Sequence, residues 1–425
     1  MEEQFILKRA TYHLWTFAIS KFISNFGAQV YAFTVSFYIL QLTGSATNFA
    51  VNLLCNVVPR IIVSPFAGYM ADRFDRKKIV ILSHMITALS IIALICMVLV
   101  FGLSLSILYS ATAIFSITST FSGLAFTSSI TGLIDQHRIQ KATAINQMVI
   151  SIAAIASPAI GGILYGFVIL PVLLLMYLTA VIIALILEST MNFTLFSTAN
   201  SEANASPQES LWKNMIEGWN YVKGRPLIMA IISIALIVNF LVGAFQVGYS
   251  YVMIENLNMP AEKFGIVESF FAIGMLLMAA YLSFRKEFRF PLIVAKRGIL
   301  SLGIIIGIFT IPLLINMNSF VIFTYYALLM FLSGSTIIII NTPVQVMMQK
   351  LIHDSYKGRV FSIVETGAQA LIPLGTIAFG ILYDILPAHW IMVSSGCLLI
   401  IAVLYLARPA VIRKAHPEWQ IKHSA

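Results

Sequence analysis

Charged side chains are scarce in this chain: Asp, Glu, Lys and Arg together make up 10% of its 425 residues. Hydrophobic residues make up 59%, and the mean hydropathy is +0.92. A soluble protein of this composition could not cover its surface with polar groups. The shortage of charge therefore excludes a soluble globular protein and predicts a polytopic membrane protein.

Cysteine is nearly absent, and the sequence contains no motif that would support catalysis. Cys55, Cys96 and Cys397 each lie in an apolar stretch, so a disulfide framework is not expected. The histidines are scattered, and no pair has metal-ligand spacing on one helix. No Gly-x-x-x-x-Gly-Lys-Ser/Thr loop occurs, which argues against ATP hydrolysis by this chain. The sequence thus predicts no enzymatic activity, no cofactor and no bound metal.

Apolar runs long enough to cross a bilayer fill most of the chain. A transmembrane helix needs about 20 predominantly apolar residues, and about twelve runs satisfy that length. They cover residues 12–40, 46–71, 79–101, 105–134, 142–168, 170–187, 228–254, 262–284, 293–315, 318–348, 360–384 and 388–408. The predicted fold class is therefore an all-α polytopic membrane protein.

Basic residues concentrate in alternate loops between these runs. In the opposite loops the only lysine or arginine is Lys263, at the margin of its loop. Under the positive-inside rule, this alternation predicts a multi-pass protein of the cell membrane with both termini in the cytoplasm. The formal net charge of +9 reflects this pattern and attraction to anionic lipid. Membrane lipids are therefore expected partners, and nucleic acid is not.

A polar segment divides the chain into two halves. Ser206-Pro-Gln-Glu209 is a capping box with proline at the first helical position. The apolar face that follows, from Leu211 to Val222, predicts a helix on the inner membrane surface, with partner binding as the alternative. The predicted domains are a six-helix bundle at 1–187, a linker at 188–226, a second bundle at 227–408 and a cytoplasmic tail at 409–425.

The two halves resemble each other in sequence. Gly162-Ile-Leu-Tyr165 returns as Gly380-Ile-Leu-Tyr383, and each follows a basic residue, Lys141 or Arg359, by the same interval. Internal repeats of this kind in a membrane chain indicate two parallel bundles with a cavity between them.

The densest charge cluster lies between the second and third apolar runs. Its residues, with the glycine that precedes them, are Gly68, Asp72, Arg73, Asp75, Arg76, Lys77 and Lys78. This order resembles the loop between helices 2 and 3 of major facilitator superfamily transporters, although an ordinary basic inner loop is the alternative. The resemblance implies twelve transmembrane helices in two pseudo-symmetric six-helix bundles, and a gating role for the cluster.

The run Ser157-Pro-Ala-Ile-Gly-Gly162 resembles the Gly-Pro-x-x-Gly-Gly signature of antiporters in that superfamily. Pro158 frees a backbone carbonyl, and Gly161 and Gly162 let helices approach closely, so a bend that seals an outer gate is expected. Similar packing of any helix pair by small residues is the alternative. Gly358 and Arg359, at the start of helix 11, complete the predicted gate residues.

Across the chain, the resemblance is to the Mef-type macrolide-efflux branch of drug:proton antiporters. It implies a monomer that exports amphipathic small molecules by proton antiport and alternating access. The alternatives are an exporter of an anionic metabolite such as a siderophore, a flippase for lysophospholipid or another lipid, and a transporter-like sensor. The fourth span departs from the branch, since Ser116, Thr118, Ser119 and Thr120 stand where many proton-coupled exporters place an arginine.

Ionisable residues within membrane spans are costly and are candidates for function. Lys21, Arg60, Glu268 and Glu365 fall in this class. The resemblance packs helices 2 and 11 together, which would let Glu365 meet Arg60 or Lys21. Glu365 is the leading proton-coupling candidate, Glu268 competes with it, and a static lock between the halves is the alternative.

Polar and aromatic residues on the expected cavity helices are candidates for substrate binding. They are Asn25, Gln29, Tyr31, Asn239, Gln246, Tyr249, Asn341 and Gln345. An apolar, aromatic wall with few polar anchors suits an amphipathic organic molecule.

Overall fold

The computed structural model of the chain is helical throughout the part it describes. The described residues are 2–135, 138–196, 219–353, 356, 360–361, 363–364, 367 and 371–408, with the side chains of residues 2–8, 72 and 131 left aside. No β-strand occurs within these ranges. The predicted cytoplasmic tail and most of the predicted linker helix lie outside them.

The helices of the first half alternate with short loops. They are α1 (Glu2–Thr43), α2 (Ala46–Arg73), α3 (Arg76–Phe101), α4 (Leu105–Ser128), the single turn α5 (Ile130–Leu133), α6 (Ile139–Phe167) and α7 (Leu170–Ser189). Local sequence explains several boundaries. Asp75 caps α3, Gly102 ends it at a φ of 77°, and Pro171 stands in the first turn of α7.

The second half repeats this arrangement. Its helices are α8 (Pro226–Tyr251), α9 (Ala261–Phe284), α10 (Pro291–Ile308), the single turn α11 (Ile311–Leu314), α12 (Ser319–Leu351), α13 (Ile372–Ile385) and α14 (Ala388–Leu406). A π-helical turn, Val252–Asn256, extends α8. Proline again begins α8 and α10, where its missing N–H has no helical partner to lose.

Ten helical segments of the described chain are long and apolar enough to cross a membrane. They include every predicted span except the first and the eleventh. The first predicted span lies within α1, which runs for 42 residues. The eleventh is represented by α13, because many residues between 354 and 370 fall outside the described part.

The first compact unit contains residues 1–43, 51–205 and 260–269. In it α1 packs against α6 and α7, and α3 packs against α4 and α7. Two apolar clusters fill the space between these helices. One contains Leu14, Phe17, Val80, Phe126 and Met191, and the other contains Val35, Ile39, Ile91, Leu108 and Leu174.

The second compact unit contains residues 44–50, 206–259 and 270–425. In it α8 packs against α13 and α14, and α10 packs against α12 and α14. These pairs correspond one to one with those of the first unit, α8 taking the place of α1 and α10 that of α3. The repeated packing is the pseudo-symmetry that the repeated Gly-Ile-Leu-Tyr sequence predicts.

The unit boundaries differ in detail from the sequence-based domains. The first turn of α2 belongs to the second unit, and the first nine residues of α9, Ala261–Ser269, belong to the first unit. Helix α7 continues to Ser189, so Glu188 lies in a helix and not in the linker as predicted. Apolar packing carries α7 past the last hydrophobic residue, Leu187, on which the predicted boundary rested.

The last residues of the predicted linker helix, 219–223, lie within the described part of the chain. Residues 219–223 are helical, Trp219 is exposed, and Val222 is buried against Ile228, Met348 and Ile352 of the second unit. Trp219 and Val222 were predicted to lie on the same membrane-facing side of this helix. Trp219 is exposed, whereas Val222 faces protein because α8 and α12 cover it.

Candidate functional site

The charge cluster between α2 and α3 joins helix ends within the first unit. The Asp75 carboxylate accepts hydrogen bonds from the backbone N–H groups of Lys77 (2.9 Å) and Lys78 (3.4 Å). Arg76 donates to the carbonyls of Ala71 (2.9 Å) and Ser128 (2.7 Å). It thereby ties the ends of α2 and α4 together, since the last carbonyls of a helix have no partner of their own.

Lys77 makes the equivalent connection to α7. Its ammonium group donates to the carbonyl of Ser189 at 2.7 Å and to that of Met191 at 2.9 Å. A cation at a helix C-terminus also interacts favourably with the helix dipole. The basic residues of the cluster therefore organise three helix ends at one end of the bundle.

Arg76→Gln should lower the stability of the detergent-solubilised protein by about 1–2 kcal/mol, because it removes two charge-assisted hydrogen bonds to otherwise unpartnered carbonyls. Arg73→Gln is the matched control. Arg73 is exposed, with its guanidinium stacked 4.9 Å from the ring centroid of Tyr69, and its loss should cost at most about 0.5 kcal/mol. Equal melting temperatures for the two variants would show that Arg76 does not hold these helix ends.

The remaining predicted gate residues of this region are placed as follows. A Cβ added to Gly68 would meet no atom within 4 Å, so the described structure does not require glycine there. The Asp72 side chain and the residues Gly358 and Arg359 lie outside the described part of the chain. We predict that Asp72 accepts hydrogen bonds at the N-terminal end of the eleventh span, around Gly358, a contact that falls outside the described residues.

The Ser157-Pro-x-x-Gly-Gly162 run lies in α6 and meets α1 and the start of α9, all within the first unit. A Cβ added to Gly161 would stand 3.0 Å from the Phe33 ring, and one added to Gly162 only 2.2 Å from the carbonyl oxygen of Ala261. In return, a Cβ at Gly265 would stand 2.1 Å from the carbonyl oxygen of Pro158. Backbone thus packs directly against backbone, which is the close helix approach expected of this run.

The second unit contains the counterpart of this contact. A Cβ added to Gly380 of α13 would stand 2.8 Å from Ala50 and 3.2 Å from the carbonyl oxygen of Ala46. One turn later the Asp384 carboxylate accepts hydrogen bonds from the backbone N–H of Ala46 (2.6 Å) and the hydroxyl of Ser45 (2.7 Å). Asp384 therefore caps the N-terminus of α2.

A cavity of about 460 Å³ opens within the second unit. Its wall is mostly aliphatic, contributed by α8, α10, α12 and α14, with Phe361 and Val364. Asn239, Asn341 and Gln345, three of the predicted substrate residues, line it together. Lys296 also lines it, and its ammonium group donates to the carbonyl of Ala407 at 2.9 Å.

The other predicted substrate residues lie elsewhere. Gln29 donates to the side-chain oxygen of Asn25 at 3.3 Å, so the two share one face of α1 as predicted. Gln246 and Tyr249 are half-buried in α8, and Tyr249 packs 5.5 Å from Phe245. Tyr31, which was predicted to line the substrate cavity, is buried in the first unit instead.

Tyr31 is buried in the core of the first unit and does not line the cavity described above. Its ring lies 4.9 Å from that of Phe115 and 5.4 Å from that of Tyr177, and its hydroxyl lies 3.5 Å from that of Thr112. It borders a small apolar cavity of about 110 Å³. Aromatic packing between α1, α4 and α7 turns this side chain inward.

A buried cluster of ionisable residues lies in the first unit, between its two apolar clusters. Glu188 and Ser20 are 0% exposed, and the Ser20 hydroxyl donates to Oε1 of Glu188 at 2.5 Å. His84 is 8% exposed, and its Nε2 lies 3.3 Å from Oε2 of Glu188 without hydrogen-bond alignment. Lys21 completes the cluster: it interacts electrostatically with Glu188 and His84, and its ammonium group lies 5.8 Å from the Phe126 ring centroid.

Sequence reasoning found Lys21 but missed Glu188 and His84. The signal was present in the helical period. The buried positions of α7 are Leu170, Leu173, Leu174, Tyr177, Val181, Ala184 and Glu188, a stripe that continues without a break to the glutamate. His84 likewise falls on the buried stripe of α3. A search by polarity alone ended α7 at Leu187, two residues too early.

The other predicted coupling residues lie on other helices or outside the described residues. Arg60 is exposed, and α2 is the least buried of the ten candidate spans. Glu268 is half-buried in α9. Glu365 lies outside the described part of the chain. Its pairing with Arg60 or Lys21 stays a prediction.

Comparison with known proteins places this arrangement in a family. Residues 17–366 match the Major Facilitator Superfamily profile. The transporter YfiS of Bacillus subtilis (strain 168) is 28% identical over 401 residues, covering 91% of this chain and 90% of YfiS. Macrolide efflux protein A of Streptococcus pyogenes is 23% identical over 405 residues, covering 95% of this chain and 97% of that protein.

Solved structures show the same fold. A bacterial homologue of the iron transporter ferroportin, solved in an inward-facing state, aligns with a TM-score of 0.69 at 15% identity. The alignment covers 93% of this chain and 98% of that structure.

The fold and the family match define a multi-pass membrane transporter of small molecules, not an enzyme. The chain belongs to the Major Facilitator Superfamily. The predicted fold class is confirmed, and so is the resemblance to the macrolide-efflux branch.

Proposed function

We propose that this protein exports amphipathic small molecules, of drug-like or macrolide-like character, from the cytoplasm by proton antiport with alternating access. It acts in the cell membrane with both termini in the cytoplasm, as the basic loops predict. The observation that carries the proposal is the cavity of about 460 Å³ in the second unit. The relatives named as macrolide efflux proteins support the direction and the substrate class.

The cavity has the size and the wall that such a substrate needs. Small-molecule sites have volumes of about 300–1,000 Å³ and are lined mainly by apolar side chains with a few polar groups. Here Ile234, Val238, Ile299 and Val344 are among the apolar lining residues. They suit a large apolar ring or chain, since they offer contact area without directional demands.

The polar groups of the cavity can fix the orientation of a substrate. Asn341 and Gln345 are one turn apart on α12, both exposed, and Asn239 faces them from α8. An amide offers both donors and acceptors, so it can bind hydroxyl, carbonyl and amine groups alike. This chemistry favours a neutral amphipathic molecule over a small ion.

Gln345→Leu should weaken substrate binding by about tenfold, since one unsatisfied or lost hydrogen bond is worth about 1–1.5 kcal/mol. Gln349→Leu is the matched control: it makes the same change one turn away on α12, at an exposed position outside the cavity lining. Binding of a fluorescent macrolide to purified protein measures both. Equal affinities would remove Gln345 from the site.

Export itself is tested in inside-out vesicles energised with a proton gradient. Accumulation of a macrolide that collapses when the gradient is dissipated is the expected result. Absence of accumulation for a panel of neutral and cationic amphipaths would overturn the proposed substrate class.

An anionic substrate is the second candidate, and Lys296 is the observation that favours it. This lysine places a positive charge in the cavity wall, although the Ala407 carbonyl already accepts one of its hydrogen bonds. Competition against the fluorescent macrolide separates the candidates. Stronger displacement by a hydroxamate or catecholate anion than by neutral macrolides would favour the anionic metabolite, and displacement by lysophospholipid would favour lipid transport.

A further inference from the structure

We propose that Glu188 and His84 form a proton-binding pair inside the first unit, and that this pair is the site at which transport is coupled to proton movement. The coupling part rests on the proposed function. The proton-binding part does not, because it concerns a buried pair of groups that can be titrated in the absence of any substrate.

The surroundings of the pair isolate it from water on two sides. Along α1, Ser20 lies between Phe17 of one apolar cluster and Tyr31 of the other. Along α3, His84 lies between Val80 and Ile91 of the same two clusters. The pair therefore occupies a polar layer between two apolar layers. A charged group in such a place is costly unless it is paired, and is retained for function more often than for stability.

The hydrogen bonds of Glu188 leave room for one proton. Oε1 accepts from Ser20, whereas Oε2 is buried without a hydrogen-bond partner in the described structure. Its nearest ionisable neighbour is Nε2 of His84, at 3.3 Å. A proton bound between Oε2 and Nε2 would satisfy both atoms after a small rotation of either side chain, because one atom then donates and the other accepts. The proton comes from water and returns to water, and no covalent bond between heavy atoms changes.

Other charged groups surround the pair on the neighbouring helices. Helix α1 contributes Lys21, and His13 about two turns before it. Helix α3 contributes Lys77, which is hydrogen-bonded to the carbonyl of Ser189 next to Glu188. Helix α6 contributes the exposed Lys141 at its first turn. Binding of a proton therefore adds positive charge to a neighbourhood that is already basic, and weakens the attraction between Glu188 and Lys21.

Lys21 connects this proton to the polar face of α1 in the first unit. Lys21, Asn25 and Gln29 are spaced by four residues along α1 and share one face. The Gln29 amide donates to Asn25, and Lys21 interacts electrostatically with Glu188, so this polar face of α1 begins beside the pair. A change in the charge of the pair alters the electrostatic pull on Lys21, and the polar face of α1 responds to it. Because binding linkage is reciprocal, a proton that changes the affinity for the substrate has its own affinity changed by the substrate by the same factor.

The first experiment tests proton binding alone. Infrared difference spectra of the purified protein are recorded between acid and alkaline pH in lipid without substrate. The expected result is a carboxylic acid carbonyl band that appears on acidification, is absent in Glu188→Gln, and is displaced in His84→Gln. Glu287→Gln, which removes an exposed carboxylate paired with Lys350, is the control and should retain the band. A band that persists unchanged in Glu188→Gln would overturn the proposal.

The second experiment tests coupling. Proteoliposomes containing wild-type protein should accumulate macrolide when a pH gradient is imposed, and should also exchange labelled for unlabelled macrolide without a gradient. Glu188→Gln should lose at least tenfold of the gradient-driven accumulation while keeping the exchange, and its exchange rate should no longer depend on pH. Glu287→Gln should behave as wild type.

The outcomes separate the two proposals. Wild-type protein that neither accumulates nor exchanges macrolide contradicts the proposed function, while the infrared result still decides proton binding. Wild-type accumulation that is independent of the pH gradient, or gradient-driven accumulation that survives in Glu188→Gln with an unchanged pH profile, overturns the coupling role of the pair. Loss of both accumulation and exchange in Glu188→Gln, with normal folding, would assign Glu188 a structural role and overturn it as well.

Discussion

Gly162→Ala is expected to prevent accumulation of folded protein, or to lower its stability by about 3 kcal/mol or more. The new methyl group would stand 2.2 Å from the carbonyl oxygen of Ala261. Backbone lies on both sides of this contact, so no flexible side chain can move aside. Helices α6 and α9 would have to separate, and the reciprocal contact between Gly265 and Pro158 would open with them.

Gly307→Ala is the control for this prediction. A Cβ at Gly307 in α10 meets no atom within 4 Å, and alanine favours the helix over glycine by about 1 kcal/mol. This variant should therefore be as stable as the wild type or slightly more so. Fluorescence-detected size-exclusion chromatography and thermal unfolding in detergent measure both variants. A Gly162→Ala protein as stable as Gly307→Ala would show that α6 and α9 do not pack at the distance observed.

Asp72→Asn is expected to reduce transport at least tenfold while the protein still folds and reaches the membrane. We assign Asp72 the role of an inner-gate latch. Its carboxylate is expected to accept hydrogen bonds at the positive N-terminal end of the eleventh predicted span, around Gly358. Its neighbours are already engaged within the first unit: Asp75 caps α3, Arg76 joins α2 to α4, and Lys77 joins α3 to α7. Asp72 is therefore the acidic residue of the cluster to which we assign the moving contact.

Asp75→Asn is the matched control, three positions along the same loop. Asparagine is nearly as good a helix cap as aspartate, so stability should change by less than about 1 kcal/mol and transport should persist. Macrolide efflux from cells, normalised to the amount of protein in the membrane, distinguishes the two. Wild-type transport by Asp72→Asn would remove the latch from the mechanism.

Glu365 and Glu188 are two candidates for the carboxylate that couples transport to proton movement. Glu365 was singled out for its depth in a span at the expected interface between the halves, and Glu188 for its contacts with Ser20 and His84. They predict different phenotypes: only substitution of the coupling residue should abolish gradient-driven export while leaving exchange intact. Parallel assays of Glu365→Gln and Glu188→Gln decide between them.

Each unit contains a short segment from the other half of the sequence, held by close backbone packing. The first turn of α9 packs on Gly162, and the first turn of α2 packs on Gly380 at the equivalent place of the repeat. Only the second of these contacts has an acidic cap, Asp384, because its counterpart in the first half is Gly166. At Gly166 a Cβ would instead stand 2.4 Å from a carboxylate oxygen of Glu262. The two halves thus share the close backbone contact, but the position of the carboxylate differs between them.

The sequence by itself determined the membrane character, the helical class, the division into two related halves and the family. These properties rest on long apolar runs, on the interval between repeated segments and on the order of charges in one loop, all of which are local in the chain. It also placed Asn239, Asn341 and Gln345 on helices that share a cavity, because a superfamily resemblance assigns cavity helices by their order.

Only the tertiary structure decided which polar residues are buried and which of them meet. The sequence predicts Glu188 in a linker because hydrophobicity ends at Leu187, yet packing of α1 and α3 around the end of α7 buries it completely. Arg60 lies within an apolar run of the sequence, yet its side chain is exposed. A run of apolar residues shows that a helix lies in the membrane, whereas the side it turns towards its neighbours follows from contacts between segments far apart in sequence.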